Sequence, residues 1–296
     1  LQTITLNGPI SATGNIELWY TVKLNTGANN ITATKSSGPV INLNSTVSDQ
    51  TVASTATLNV QNGSTLTVNS GTGDSIRVGT ATLTDAEARG AFITETGATV
   101  DLENDFEVVN VNSTVTMNGA NWFVRDDWDN SGGGTVDPGT STVTLDGVDA
   151  TAPNAVDTGG QPFYNLTVNN TATDDNIVFT PDAIDINGTL TLTDGELELN
   201  TNDPNLTLGG NVTIAATNPT ITFGSGTITF DGNGVITDNK VMTWTAPATV
   251  SAPSGSASYS QGTALTFSNL TIGTSATNGI WNTKGFSLTA TTFAIN

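Results

Sequence analysis

Apolar pairs in this chain realign at every third step, and few folds can produce that. In the segment NGTLTLTDGELELNTNDPNLTLGGNVTIAATNPTITFGSGTITFDG the pairs are Leu190/Leu192, Leu197/Leu199, Leu206/Leu208, Val212/Ile214, Ile221/Phe223 and Ile228/Phe230. A spacing of two puts both members on one side of a β-strand. The turn signals Asp194-Gly195, Asp203-Pro204, Gly209-Gly210 and Asn218-Pro219 fall between the pairs. Successive pairs start 7, 9, 6, 9 and 7 residues apart, yet Leu190 to Val212 is 22 residues, Leu197 to Ile221 is 24 and Leu206 to Ile228 is 22. An antiparallel sandwich also has short alternating strands, but nothing in it requires every third strand to match. Three short strands per coil do require it, because each strand then stacks on its counterpart one coil away.

The interval recurs along most of the chain. Ile184 to Leu206, Val100 to Trp122, Phe106 to Trp128 and Trp122 to Val143 are separated by 22, 22, 22 and 21 residues, and near the end Leu265 to Phe286 and Leu270 to Phe293 by 21 and 23. The pattern predicts an all-β parallel β-solenoid, a right-handed β-helix with three strands and about 22 residues per coil. Its inward positions would form apolar ladders, and its outward Thr and Asn would face water. The one short helical candidate is Asp85–Arg89.

Three stretches depart from the pattern. Residues 1–57 carry strands, including NIELWYTVKL, at a less regular interval, and are expected to form a cap or a subunit-pairing segment ahead of a solenoid over 58–296. Residues 238–262, rich in Pro, Ser and Ala, are expected to leave the coil as a loop or flap; Trp244 and Tyr259 on it are either contact aromatics or tacks that hold the loop down. At the end, GFSLTATTFAIN still alternates, with Phe286, Leu288, Phe293 and Ile295 in phase. These four mark an assembly edge, completed by a longer parent chain, by another copy through strand addition, or by a swapped or local cap.

Composition narrows the function. Seven Lys and Arg against 27 Asp and Glu give a net charge of −20, which argues against nucleic acid and anionic lipid as partners. With no Cys and no His, disulfides, thiol catalysis, thiolate metal sites and imidazole acid–base chemistry are unavailable. No apolar run is long enough for a transmembrane helix, so membrane insertion is not expected. The first residue is Leu rather than Met, and there is no basic-then-apolar leader, which is the expectation for a secreted, trimmed product or for a chosen boundary.

Acidic clusters are the main chemical candidates: Asp126, Asp127 and Asp129; Asp174 and Asp175; Asp182 with Asp185. Carboxylates on stacked turns could converge on calcium, with Asp126, Asp127 and Asp129 the leading set, although none matches an EF-hand or a calcium nonapeptide repeat. No cofactor is required by any motif. Arg125 beside Asp126 and Asp127, between Trp122 and Trp128, is the best constellation for glycan cleavage, but the two tryptophans keep the core interval and are more simply interior. No catalytic residue is assigned. Asn-x-Ser/Thr sequons stand at Asn30, Asn44, Asn62, Asn112, Asn165, Asn169, Asn187, Asn205, Asn211 and Asn269, about as many as the composition gives by chance, and are candidates for glycosylation.

The segments NWFVRDDWDNSGGGTVDPGTSTVTLDG (121–147) and QPFYNLTVNN (161–170), with a partial second copy in GSGTITFDGNG and TFSNLTI, resemble a pattern of large bacterial and archaeal surface proteins. LNVQNGSTLTVNSGTG (58–73) is similar to the coils of autotransporter-type adhesins. The resemblance implies secreted β-helical surface architecture and carries no catalytic residue with it. The expectation is therefore an extracellular, non-enzymatic structural subunit of a filament or surface layer, with other copies of itself or a longer parent chain as partner. An adhesin stalk that binds glycans and a polysaccharide-active β-helix are the alternatives.

Overall fold

The computed structural model describes residues 2–19, 22–44, 54–71, 73–79, 88–147, 153–171, 176–180, 183–252, 255–273 and 278–296. Among these there is no helix, and the strands stack in parallel as a β-solenoid with about 23 residues per turn. Two compact units are distinguished: Leu1–Asp146 with Ala155–Gln161, and Gly147–Asn154 with Pro162–Asn296.

The first unit has three faces. One is built from Gln2–Thr5, Val22–Asn25, Ser54–Val60, Ala88–Thr94, Thr114–Thr116 and Thr135–Asp137, in that order. The second runs Ile10–Thr13, Ile31–Lys35, Thr65–Ser70, Thr99–Leu102, Asn121–Val124, Thr142–Leu145. The third runs Ile16–Trp19, Ile41–Asn44, Ile76–Val78, Phe106–Val108, Trp128–Asp129, Asn154–Asp157. On the second face the register stacks Ile31, Leu66, Val100, Trp122 and Val143 into one inward ladder, and all five are buried. Phe92, Phe106, Trp122 and Trp128 meet in the interior, with Phe106 and Trp128 centroids 4.6 Å apart. This cluster is the apolar payload of the first unit.

The 1–57 segment is therefore not a separate cap. Its described strands already stack in coil register, Gln2 on Val22, Ile10 on Ile31 and Ile16 on Ile41. What hides the period is length: Leu24 pairs with Leu58 and Leu58 with Phe92, each 34 residues on instead of about 22. The helical candidate Asp85–Arg89 lies outside the described residues as far as Glu87, and Ala88 and Arg89 begin the strand Ala88–Thr94.

The second unit starts with three-strand coils. Leu190 stacks on Val212, Leu197 on Ile221 and Leu206 on Ile228, the three realignments that the sequence pattern predicts. After Ile228–Phe230 the coils carry two longer strands: Asn233–Asp238 with Thr243–Val250, Ser256–Gln261 with Leu265–Ile272, Asn278–Asn282 with Leu288–Ile295. The 238–262 segment thus stays in the coil instead of leaving it as a flap. The Asp238 carboxylate accepts N–H from Lys240, Val241 and Met242, turning the chain where a third strand would lie. Pro247 is accommodated because the register shifts between Trp244 and Pro247, a bulge where its missing N–H is not needed. Near the end Leu265 pairs with Leu288, not Phe286. Phe286 sits in a turn whose residues Lys284 and Gly285 have φ of 48° and 86°, so its interval was coincidental.

Glycine is required at one corner of the second unit. A Cβ on Gly210 would lie 2.3 Å from the Gly188 carbonyl oxygen, and one on Gly234 2.3 Å from that of Gly210. Three successive coils approach backbone to backbone there.

Candidate functional site

The third face of the first unit carries the densest charge. Parallel register places Glu17, Asn42, Arg77, Glu107, Asp129 and Asp157 in one outward row, each one strand spacing, about 4.8 Å, from the next. Arg77 sits between two acids, with Nε 2.5 Å from Glu107 and Nη2 2.6 Å from Asp74. Burial pushes the Glu107 carboxyl up to about 7, and the neighbouring Asp74 adds to this while Arg77 opposes it. Beyond Glu107 the row continues with two carboxylates that hold their own turns: Asp129 accepts the Ser131 N–H at 2.7 Å and Asp157 the Gly159 N–H at 2.8 Å.

Beside this row, Asp105, Asp126 and Asp127 offer carboxylate oxygens that all lie within 4.8 Å of one another. Asp105 accepts the Asp127 N–H at 3.1 Å, and Asp127 accepts the Ala155 N–H at 2.7 Å. The Asp105 carboxyl is raised to about 7, first by burial and further by the charges of Asp126, Asp127 and Asp74. Asp127 is raised as well, chiefly by burial. Three hard oxygens are part of the set a calcium ion takes, the remainder coming from water or backbone. The group shares Asp126 and Asp127 with the predicted Asp126, Asp127 and Asp129; Asp105 joins from the preceding coil, and Asp129 stands in the outward row. The 22-residue interval between Asp105 and Asp127 was the available signal.

The other carboxylates are dispersed. Arg125 lies 3.1 Å from Asp101 and 3.9 Å from Asp146, not in a cleft with Trp122 and Trp128, both of which are core. The Asp185 and Asp231 carboxyls are raised by burial, and Asp185 is raised further by the charge of Asp231. Asp174, Asp175 and Asp182 lie outside the described residues.

Trp244 and Tyr259 are not contact aromatics. Both are buried, Trp244 against Phe223, Phe230 and Phe267, and Tyr259 against Phe230. The Ser- and Ala-rich composition around them concealed a coil that needs large rings to fill its two-strand section. Compared with known proteins, the chain matches no family model, no curated protein and no solved structure. Of the predicted edge residues, Leu288, Phe293 and Ile295 lie on the strand Leu288–Ile295 and Phe286 in the turn before it; Phe286 is 44% exposed, Phe293 49% and Ile295 72%, with Leu288 half-buried. Leu288, Ala290 and Phe293 line a shallow cleft of about 240 Å³.

Four sequon asparagines share a geometry that sequence reading missed. Asn30, Asn165, Asn205 and Asn211 each use Oδ1 to accept the backbone N–H of the aligned residue one coil later, Thr65, Thr189, Thr227 and Val235, at 2.8 to 2.9 Å.

Proposed function

We propose that the protein is a structural subunit of an extracellular filament or surface layer, extended by strand addition at its sheet edges. The observation that carries this reading is the strand Leu288–Ile295. It is bonded on one side to Leu265–Ile272, is the last strand in its sheet, and exposes Phe293 and Ile295. An edge with apolar side chains takes a further strand, from another copy or from a longer parent chain. Trp19 and Ile4, on edge strands of the first unit, are also exposed, at 39% and 44%. The parallel solenoid, the thin apolar content and the resemblance of residues 121–147 and 161–170 to surface-protein repeats support the same reading. The carbohydrate-binding alternative is weakened, because Trp244 and Tyr259 present no ring face to a sugar.

Negative-stain electron microscopy of the purified protein with and without Phe293→Asp and Ile295→Asp tests this. Filaments from the parent protein and short particles from the variant are expected. Particles of one chain's mass from both, at all concentrations, would refute self-assembly. Mass spectrometry of the native material would then identify a longer parent chain as the source of the next strand.

A further inference from the structure

Asn30, Asn205 and Asn211 occupy one structural position, directly before the strands Ile31–Lys35, Leu206–Leu208 and Val212–Ile214. The backbone carbonyl of each accepts an N–H from the coil before, donated by Ile10, Ile184 and Leu190 at 2.9, 2.8 and 2.9 Å. The side-chain Oδ1 of each accepts an N–H from the coil after, at 2.9 Å. One residue thereby ties three consecutive coils.

This bridging fixes the amide. With Oδ1 turned into the ladder, the planar group leaves Nδ2 without a hydrogen bond among the described residues, and all three side chains are exposed. Other asparagines behave in the opposite way. Asn29, Asn118 and Asn202 donate Nδ2 to the carbonyls of Leu6, Thr94 and Phe179, and none of the three begins a sequon. The coil also dictates the rest of the motif. The residue after each bridging Asn points into the core, as Ile31, Leu206 and Val212 do, and the next is an outward threonine, so Asn and Thr share the surface.

We propose that Asn30, Asn205 and Asn211 are N-glycosylation sites, whose amide oxygen stitches the coils while the amide nitrogen carries a sugar. A transferase with a phosphate-activated sugar donor supplies the step. The Nδ2–C1 bond forms as the C1–O bond to the phosphate leaving group breaks, and one Nδ2 proton departs with the phosphate. The product is still an amide, so Oδ1 keeps its N–H from the next coil. The proposal rests on the extracellular reading only in requiring export through a glycosylating compartment.

Glycopeptide mass spectrometry of the protein purified from its source cells tests it. Carbohydrate mass increments are expected on the peptides that contain Asn30, Asn205 and Asn211. Unmodified peptides at all three would overturn the proposal, whether or not the same preparation forms filaments under the microscope. A Thr207→Val variant made in the same cells removes one sequon and leaves the Asn205–Thr227 bond intact. It is expected to lose the increment at Asn205 with an unchanged melting temperature; an increment that persists there would overturn the assignment.

Discussion

The indole N–H of Trp244 donates to the carboxylate of Asp238 at 3.2 Å, and neither residue has exposed surface. The same carboxylate collects the N–H groups of Lys240, Val241 and Met242, and it holds Val241 at a φ of 58°, a conformation a β-branched residue rarely adopts. Asp238→Ala would take the carboxylate from four donors together, the buried Trp244 indole and three part-buried backbone N–H groups, and a loss of about 3–5 kcal/mol is expected. Trp244→Phe removes one bond and part of the ring volume packed on Phe223, Phe230 and Phe267, for about 1–2 kcal/mol. Denaturant melts of the two variants would check the order, and a Trp244→Phe loss as large as that of Asp238→Ala would contradict the account.

Asp105 and Glu107 give the fold a pH dependence with a definite sign. Both carboxyls stand near 7 in the folded chain, mainly through burial, against ordinary values near 4 in the unfolded chain. The native state therefore binds more protons between about pH 4 and 7, so stability is greatest below that window and falls as pH rises through it. Asp105→Asn keeps the oxygen that accepts the Asp127 N–H and removes the charge. It should raise stability at pH 8 by about 1–2 kcal/mol, discounted for solvent screening of a part-exposed group, and change little at pH 4. Melting temperature against pH is the measurement; parallel curves for the two proteins would refute it.

Lys240 guards the one sheet edge that ends where the second unit changes from three strands to two. Its ammonium lies 2.7 Å from the Pro219 carbonyl oxygen and 3.0 Å from the Thr220 hydroxyl, beside the edge strand Thr220–Thr222. A lysine on an edge discourages pairing by another chain. Lys240→Ala is expected to lower stability by only about 0.5–1 kcal/mol but to increase side-by-side association in light scattering. Unchanged association would remove the gatekeeping role.

Gly210→Ala would drive its methyl into the Gly188 carbonyl, a backbone atom that cannot swing aside. A loss of several kcal/mol, or failure to fold, is expected. Gly63→Ala meets no atom within 4 Å but sits at a φ of 75°, so it should lose only about 1 kcal/mol. Thermal melts would rank the two, and a reversed ranking would exclude the backbone-contact explanation.

How far the sequence could be read depended on whether its signal was periodic. Leu190, Leu197 and Leu206 advertised their partners because every coil there has nearly the same length and its inward residues are large and aliphatic. The first coils were obscured by their length, since partners such as Leu24 and Leu58 stand 34 residues apart instead of about 22. Residues 238–262 misled because the two-strand coils replace aliphatic ladders with a few large rings set among Ser, Ala and Thr, and composition alone cannot distinguish that from a loop. Asp105 was missed in the acidic group because proximity along the chain favoured Asp129, whereas the coil brings together residues one turn apart. The asparagine bridges are invisible to any motif, since the sequon specifies an amide but not which of its two atoms faces the next coil.

The Leu190–Val212 register has an arithmetic consequence. Residues 190 and 212 occupy equivalent places on consecutive coils, as do 206 and 228, so excising residues 190–211 would join Thr189 to Val212 with the local surroundings of both largely preserved. The stack would shorten by one increment of about 4.8 Å. A chain of this kind can be lengthened or trimmed in whole steps, much as a ruler is cut at its graduations, while any partial step would put core side chains into water.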